Sequence, residues 1–127
     1  MKRGDVVLVS GKGDYGKSRP AVVIQADYFA DHLGSLTVVP FTSDLASEIS
    51  IRVMIEANAA NGLRDRSQLM TDKIQTYPRA KVFGPIGTLE ADQMVQLDRA
   101  LIVFLQLAAT LFASSQTVPL SSQGTDS

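Results

Sequence analysis

The stretch GKSRPAVVIQ, residues 16–25, sets an arginine and a proline directly before a run of β-branched residues. Such a run, bounded by glycine and proline, reads as a strand rather than a helix. Pro20 fixes the backbone just after Arg19 and biases that arginine away from helical geometry, so its side chain projects from the start of an ordered strand.

The same texture recurs on both sides. DVVLVS (5–10), AVVIQA (21–26) and LTVVPF (36–41) are short apolar runs, and IRVMIE (51–56) alternates, with Ile51, Val53 and Ile55 on one face. Asn61-Gly62 is a turn signal. SQLMTD (67–72) and KIQTY (73–77) read as further strand, ended by Pro78. Short strands at this spacing predict a small barrel or sandwich. Residues 27–33 read as one helical turn carrying His32, the single histidine, which has no second ligand nearby and is read as structural or exposed.

After Gly84 and Gly87 the period changes. Met94, Leu97, Leu101, Phe104, Ala108 and Leu111 recur at three and four residues, the spacing of one helical face. Thr88 is the expected N-cap, with Glu90 and Asp92 in the first turn, where negative charge suits the helix dipole. Residues 1–112 therefore form a single domain, and 113–127, polar and small-residued, a flexible tail.

Composition narrows the chemistry. At 127 residues and 45% hydrophobic the chain fits one domain with one core. Cysteine is absent, which excludes disulfides, thiolate-bound zinc and thiol nucleophiles, and no metal or cofactor is expected. The start does not read as a secretion signal, and the longest apolar stretch, 100–105, is far shorter than the roughly 20 residues of a membrane span. A cytoplasmic location is expected. Although the net charge is −1, residues 1–20 and 64–81 each carry +3 and the remainder is negative. These segments either meet as a positive patch or stay scattered, solvated charges.

Four ordered blocks, RGDV (3–6), RPAVVI (19–24), VPFTS (39–43) and TDKIQT (71–76), followed by GPIGTL (84–89) and the helix, make the chain resemble the MazF/PemK family of toxin endoribonucleases. The resemblance implies a small SH3-like β-barrel with a C-terminal helix packed on it, usually as a homodimer whose interface holds the RNA groove. It also implies metal-independent cleavage of single-stranded RNA and neutralisation by a cognate antitoxin.

That cleavage needs a cation, a proton acceptor and a proton donor around one phosphodiester. Arg19 suits the first task, since a guanidinium offers two parallel charge-assisted hydrogen bonds to phosphate, while its pKa above about 12 makes it a poor base. Its alternative is a surface salt bridge. Thr42 stands where the resemblance implies the second catalytic residue and suits stabilisation by hydroxyl donation; an ST-turn closing the strand is the competing reading. Asp72 matches an acidic position used in some relatives, either as base, if burial raises its pKa, or as orienter of Arg19. Ser43 is placed to bond phosphate. Asp14 lies where relatives often carry a glutamate, and Tyr15 and Tyr77 offer rings for base stacking. Lys17, Lys73 and Gln75 complete the substrate-binding set, with Lys73 and Gln75 standing where many relatives read glutamine and arginine. Two other classes share the barrel: a non-catalytic toxin that binds a protein such as gyrase, as CcdB-like poisons do, and an RNA-binding relative that does not cut. Retention of Arg19, Pro20 and Thr42 weighs against the first.

Overall fold

The computed structural model describes residues 1–10, 17–45 and 51–108. Its strands are β1 (Asp5–Val9), β2 (Arg19–Val23), β3 (Ser35–Thr42), β4 (Val53–Ile55), β5 (Ser67–Leu69), β6 (Gln75–Pro78) and β7 (Val82–Thr88), with helices α1 (Asp27–His32) and α2 (Ala91–Leu105). All pairings are antiparallel, in the order β4-β5-β3-β2-β1-β7, with β6 on β3. The expected mainly-β, barrel-like architecture with a C-terminal helix is present, although the sheet does not close into a ring.

The central strands are continuously apolar because both of their faces are covered. Val6 pairs with Val22 and Val22 with Val39, and all three pack in one cluster with Leu97, Ala100 and Leu101 of α2. Val7, Ala21, Val23 and Val38 form the opposite cluster, under Ala30 of α1 and with Leu36. Each such valine contributes about 1.5–3 kcal/mol through removal from water.

Several boundaries differ from the sequence reading. Strand β7 contains GPIG and was not expected; a register shift opposite Val6 and Leu8 lets β1 accept it. Thr88 ends that strand, and the helix cap is Glu90, whose N–H donates to Gln93 Oε1 at 2.9 Å. The predicted strand over 67–72 stops at Leu69 and gives way to a 3-10 turn, Thr71–Lys73. Of the expected helical stripe, Leu97 and Leu101 are buried, Phe104 is 44% exposed and Leu111 lies outside the described residues. So does the 113–127 tail.

Two features shape the end of the sheet where the functional residues gather. Strand β3 changes partner along its length: Ser35–Val38 pairs with β6, Val38–Pro40 with β2, and Phe41 and Thr42 with β5. Continuing the β2 register one step past Ala21–Pro40 and one more would set Pro20 opposite Phe41 and Arg19 opposite Thr42. The ladder stops first. Pro20, whose main chain faces β3, has no N–H to give to Phe41, while the Pro40 carbonyl, on the other side of β3, accepts from Met70 N–H at 2.9 Å. β2 stays with β1, β3 follows β5, and the strands part.

The loop between β4 and β5 is the second feature. Asn61 is 1% exposed, and its Oδ1 accepts from the N–H groups of Asn58 and Leu63 while its Nδ2 donates to the Glu56 carbonyl at 2.8 Å. The loop lies directly on β7: Thr88 N–H donates to the Ala60 carbonyl, and a Cβ on Gly87 would meet the Asn61 carbonyl carbon at 2.3 Å. Gly87→Ala is therefore expected to destabilise the protein by at least about 1–3 kcal/mol, read as a lower urea midpoint. An unchanged midpoint would contradict the close loop-to-strand seating.

Candidate active site

A cleft of about 670 Å³ opens where β2 and β3 part. Leu8, Ser18, Arg19 and Pro20 line it from one strand pair, Phe41, Thr42 and Ser43 from the end of β3, and Gly62, Leu63, Arg64, Asp65 and Ser67 from the β4–β5 loop and β5, with Ile86 of β7. Arg19 and Thr42, 23 positions apart in sequence, thus share one hollow because each holds the end of a strand on either side of the parting.

The Thr42 Oγ1 accepts from Asp44 N–H at 3.1 Å, so the expected ST-turn does form. That bond uses a lone pair and fixes the oxygen, while the hydroxyl proton stays a donor. The turn and a stabilising role are compatible. Ser43 lines the cleft beside it.

Asp72 is elsewhere. Its carboxylate takes two bonds from Arg52, Nε to Oδ1 at 3.0 Å and Nη2 to Oδ2 at 3.2 Å, in a bidentate pair whose side chains are 10% and 20% exposed. It does not line the cleft, and its guanidinium partner is Arg52 rather than Arg19. Hydrogen bonding from Arg52 outweighs partial desolvation and holds the Asp72 carboxyl below the usual carboxylate range. The carboxylate is thus held ionised by Arg52 rather than poised by burial, and the pair ties the chain before β4 to the turn after β5.

The remaining substrate-binding expectations divide. Lys17 is exposed two residues before Arg19, without lining the cleft. Asp14 and Tyr15 lie outside the described residues. Lys73 sits in the 3-10 turn, off the strand, while Gln75 and Tyr77 occupy β6, where the Tyr77 hydroxyl bonds Gln75 Oε1 and the ring packs on the second core cluster. β6 pairs only with Ser35–Val38 of β3. Thr42 is four residues farther on, about 13 Å along a strand, so the structure does not bring Lys73, Gln75 and Tyr77 together with Arg19. His32 stacks on Tyr28 at 4.2 Å between ring centroids, and its Nδ1 lies 2.6 Å from the Tyr28 carbonyl, as a structural histidine does.

Among the described residues the two basic segments bring Arg19 and Arg64 to this cleft, and they meet again where Ser10 N–H donates to the Lys81 carbonyl. Arg3 pairs with Asp98, Arg66 with Glu56, and Arg79 donates to the Ala30 carbonyl. Arg64 and Asp65 were counted as charges in the sequence but not singled out. The nearby Asn-Gly turn was the available signal, since it places them on a loop folded back toward β7.

A family model for PemK-like, MazF-like toxins of type II toxin–antitoxin systems matches residues 2–105. The chain belongs to that family. A probable endoribonuclease MazF of Mycolicibacterium smegmatis is 44% identical over 109 residues, 85% of this chain and 99% of that one. Endoribonuclease MazF9 of Mycobacterium tuberculosis is 32% identical over 84% of this chain and 98% of its own length. Among solved structures, the M. tuberculosis toxin MazF-mt6 superposes with a TM-score of 0.70 at 25% identity, covering 80% of this chain and 96% of that one. An endoribonuclease in complex with its cognate antitoxin, from a mycobacterial species, has the same fold, with a TM-score of 0.71 at 19% identity over 84% of this chain and 96% of that one.

The Arg52–Asp72 pair gives a pH signature. Because the folded-state carboxyl is held low, the pair's contribution is complete above about pH 4 and disappears as pH falls through the lowered pKa. Asp72→Asn is expected to cost about 1–2 kcal/mol at pH 7, with the gap to wild type narrowing at pH 3 in urea unfolding. A pH-independent gap would count against the pairing.

Proposed function

We propose that the chain is the toxin of a toxin–antitoxin pair and cleaves single-stranded RNA, without a metal ion, by attack of a ribose 2′-hydroxyl on the adjacent phosphorus. The observation that supports this reading most is the meeting of Arg19 and Thr42 in one cleft at the parted strand ends. In the reaction the 2′-oxygen bonds to phosphorus as its proton leaves, and the bond from phosphorus to the 5′-oxygen breaks as that oxygen takes up a proton. The products are a 2′,3′-cyclic phosphate and a 5′-hydroxyl. Negative charge builds on the phosphoryl oxygens on the way, and a pre-placed guanidinium and hydroxyl stabilise it without reorganising. Arg19 supplies the bidentate cation, Thr42 donates its fixed hydroxyl, and Ser43 adds a second donor. A barrel that only bound a protein would not need this phosphate-directed pairing; one that held RNA uncut would use it too, and the cleavage assay separates the two.

The partners follow from the same reading. A cognate antitoxin restrains the protein in the cytoplasm, as the antitoxin complexes solved for relatives suggest. A second copy covers the outer side of α2, where Val95, Val103, Phe104 and Leu105 are exposed beside a groove lined by Ile51, Met54 and Ala100. No described helix is long and apolar enough to cross a membrane.

Purified protein in excess chelator is expected to cut a single-stranded transcript mixture and leave cyclic phosphate ends, and Arg19→Ala to slow this by about 10²–10³-fold with an unchanged melting temperature. Intact RNA with wild type, or full activity in the variant, would refute the mechanism. Val103, 68% exposed, tests the dimer: Val103→Glu is expected to shift the sedimentation coefficient from dimer to monomer, and a wild-type monomer would reject this assembly.

A further inference from the structure

We infer that Arg64, on the β4–β5 loop, is a second phosphate-binding residue of the cleft, holding a phosphodiester next to the one that is cut. The inference rests on the RNA-cleaving reading above and adds to it a residue that sequence motifs did not single out.

Charge in the cleft is the first argument. The ionisable side chains that line it are Arg19, Arg64 and Asp65. The three sum to a single positive charge, and without Arg64 the lining would be neutral. A groove for an anionic strand needs a positive potential along its length, beyond the one cation at the reacting phosphorus.

Availability is the second. Most described arginines are committed: Arg3 to Asp98, Arg52 to Asp72, Arg66 to Glu56, Arg79 to the Ala30 carbonyl. Among the described residues the Arg64 side chain makes no hydrogen bond or ion pair, and it is exposed. The same is true of the Arg99 side chain, but that residue lies on α2 and lines a different groove. Arg64 is the uncommitted guanidinium facing the substrate cleft.

Anchorage is the third. The backbone that carries Arg64 is fixed on one side by Asn61, which accepts from Leu63 N–H at 3.0 Å, and on the other by Ser67, whose hydroxyl donates to the Asp65 carbonyl at 2.9 Å. A flexible side chain on a pinned loop loses less freedom when it meets a phosphate, and the fork geometry of the guanidinium suits a non-bridging oxygen pair.

Binding and cutting can be read separately. Mixed-sequence RNA bearing 2′-O-methyl groups cannot be cut by 2′-attack, so its affinity reports the groove alone. Arg64→Gln is expected to weaken binding about tenfold at 0.1 M KCl and to reduce the slope of log affinity against log salt by about 0.7, the loss of one phosphate contact on a single strand. Arg64→Lys is expected to keep the slope. On unmodified transcripts KM should rise while kcat stays within about twofold. Equal affinity and slope in wild type and Arg64→Gln, with wild type still cutting RNA, would overturn this inference and leave the function standing. Weakened binding by the variant with no cutting by wild type would do the reverse. A loss confined to guanine-bearing oligonucleotides at an unaltered slope would make Arg64 a base reader and also overturn the assignment, and a wild type that binds no RNA would end both.

Discussion

The parting of β2 from β3 is the constraint on which the site depends. Pro20 on β2 withholds the donor that would carry the ladder one step farther, while on its other side β3 gives the Pro40 carbonyl to Met70 and follows β5. A completed ladder would zip Arg19 and Thr42 into a flat sheet edge, side by side with no room for a ligand. Because the strands diverge one step earlier, the same two residues become the lips of a hollow while each remains tethered to its own well-packed strand. Rigidity and access, usually opposed, are reconciled by where hydrogen bonding stops.

Much of this was legible in the sequence. The apolar runs and their punctuation pointed to six of the seven strands, since two-sided burial leaves no ambiguity about VVLV or AVV, and the RPAVVI and VPFTS blocks pointed to Arg19 and Thr42. The rest was hidden for identifiable reasons. β7 was missed because glycine and proline at 84, 85 and 87 read as breakers, whereas a register shift and the close seating of the 58–63 loop are what require a small residue there. Asp72 was assigned to the wrong neighbourhood because no local pattern shows that the chain before β4 brings Arg52 beside it. Arg64 was passed over since a charged loop residue looks the same in sequence whether it faces solvent or a cleft. Helix α2 kept its apolar stripe beyond its own core contacts, and the surplus, Val103 and Phe104, is exposed rather than packed.

The polar groups divide into those that shape and those that face the ligand. Arg52 and Asp72 bind each other through two hydrogen bonds in a largely shielded pair, and so fix the approach to β4. Asn61 does likewise for the next loop, its amide satisfied by three main-chain groups. Both devices are local closures that set the cleft's third wall relative to the sheet.

That wall is held by main-chain contacts, by the interior amide of Asn61, by the Ser67 hydroxyl and by the buried Leu63, and the outward side chains at positions 64 and 65 carry none of the weight. Its outline is accordingly insulated from its chemistry. A lineage built on this scaffold can exchange a charge or a hydrogen-bonding group at those two positions, and so change which strands it prefers, while the barrel beneath stays as stable as before.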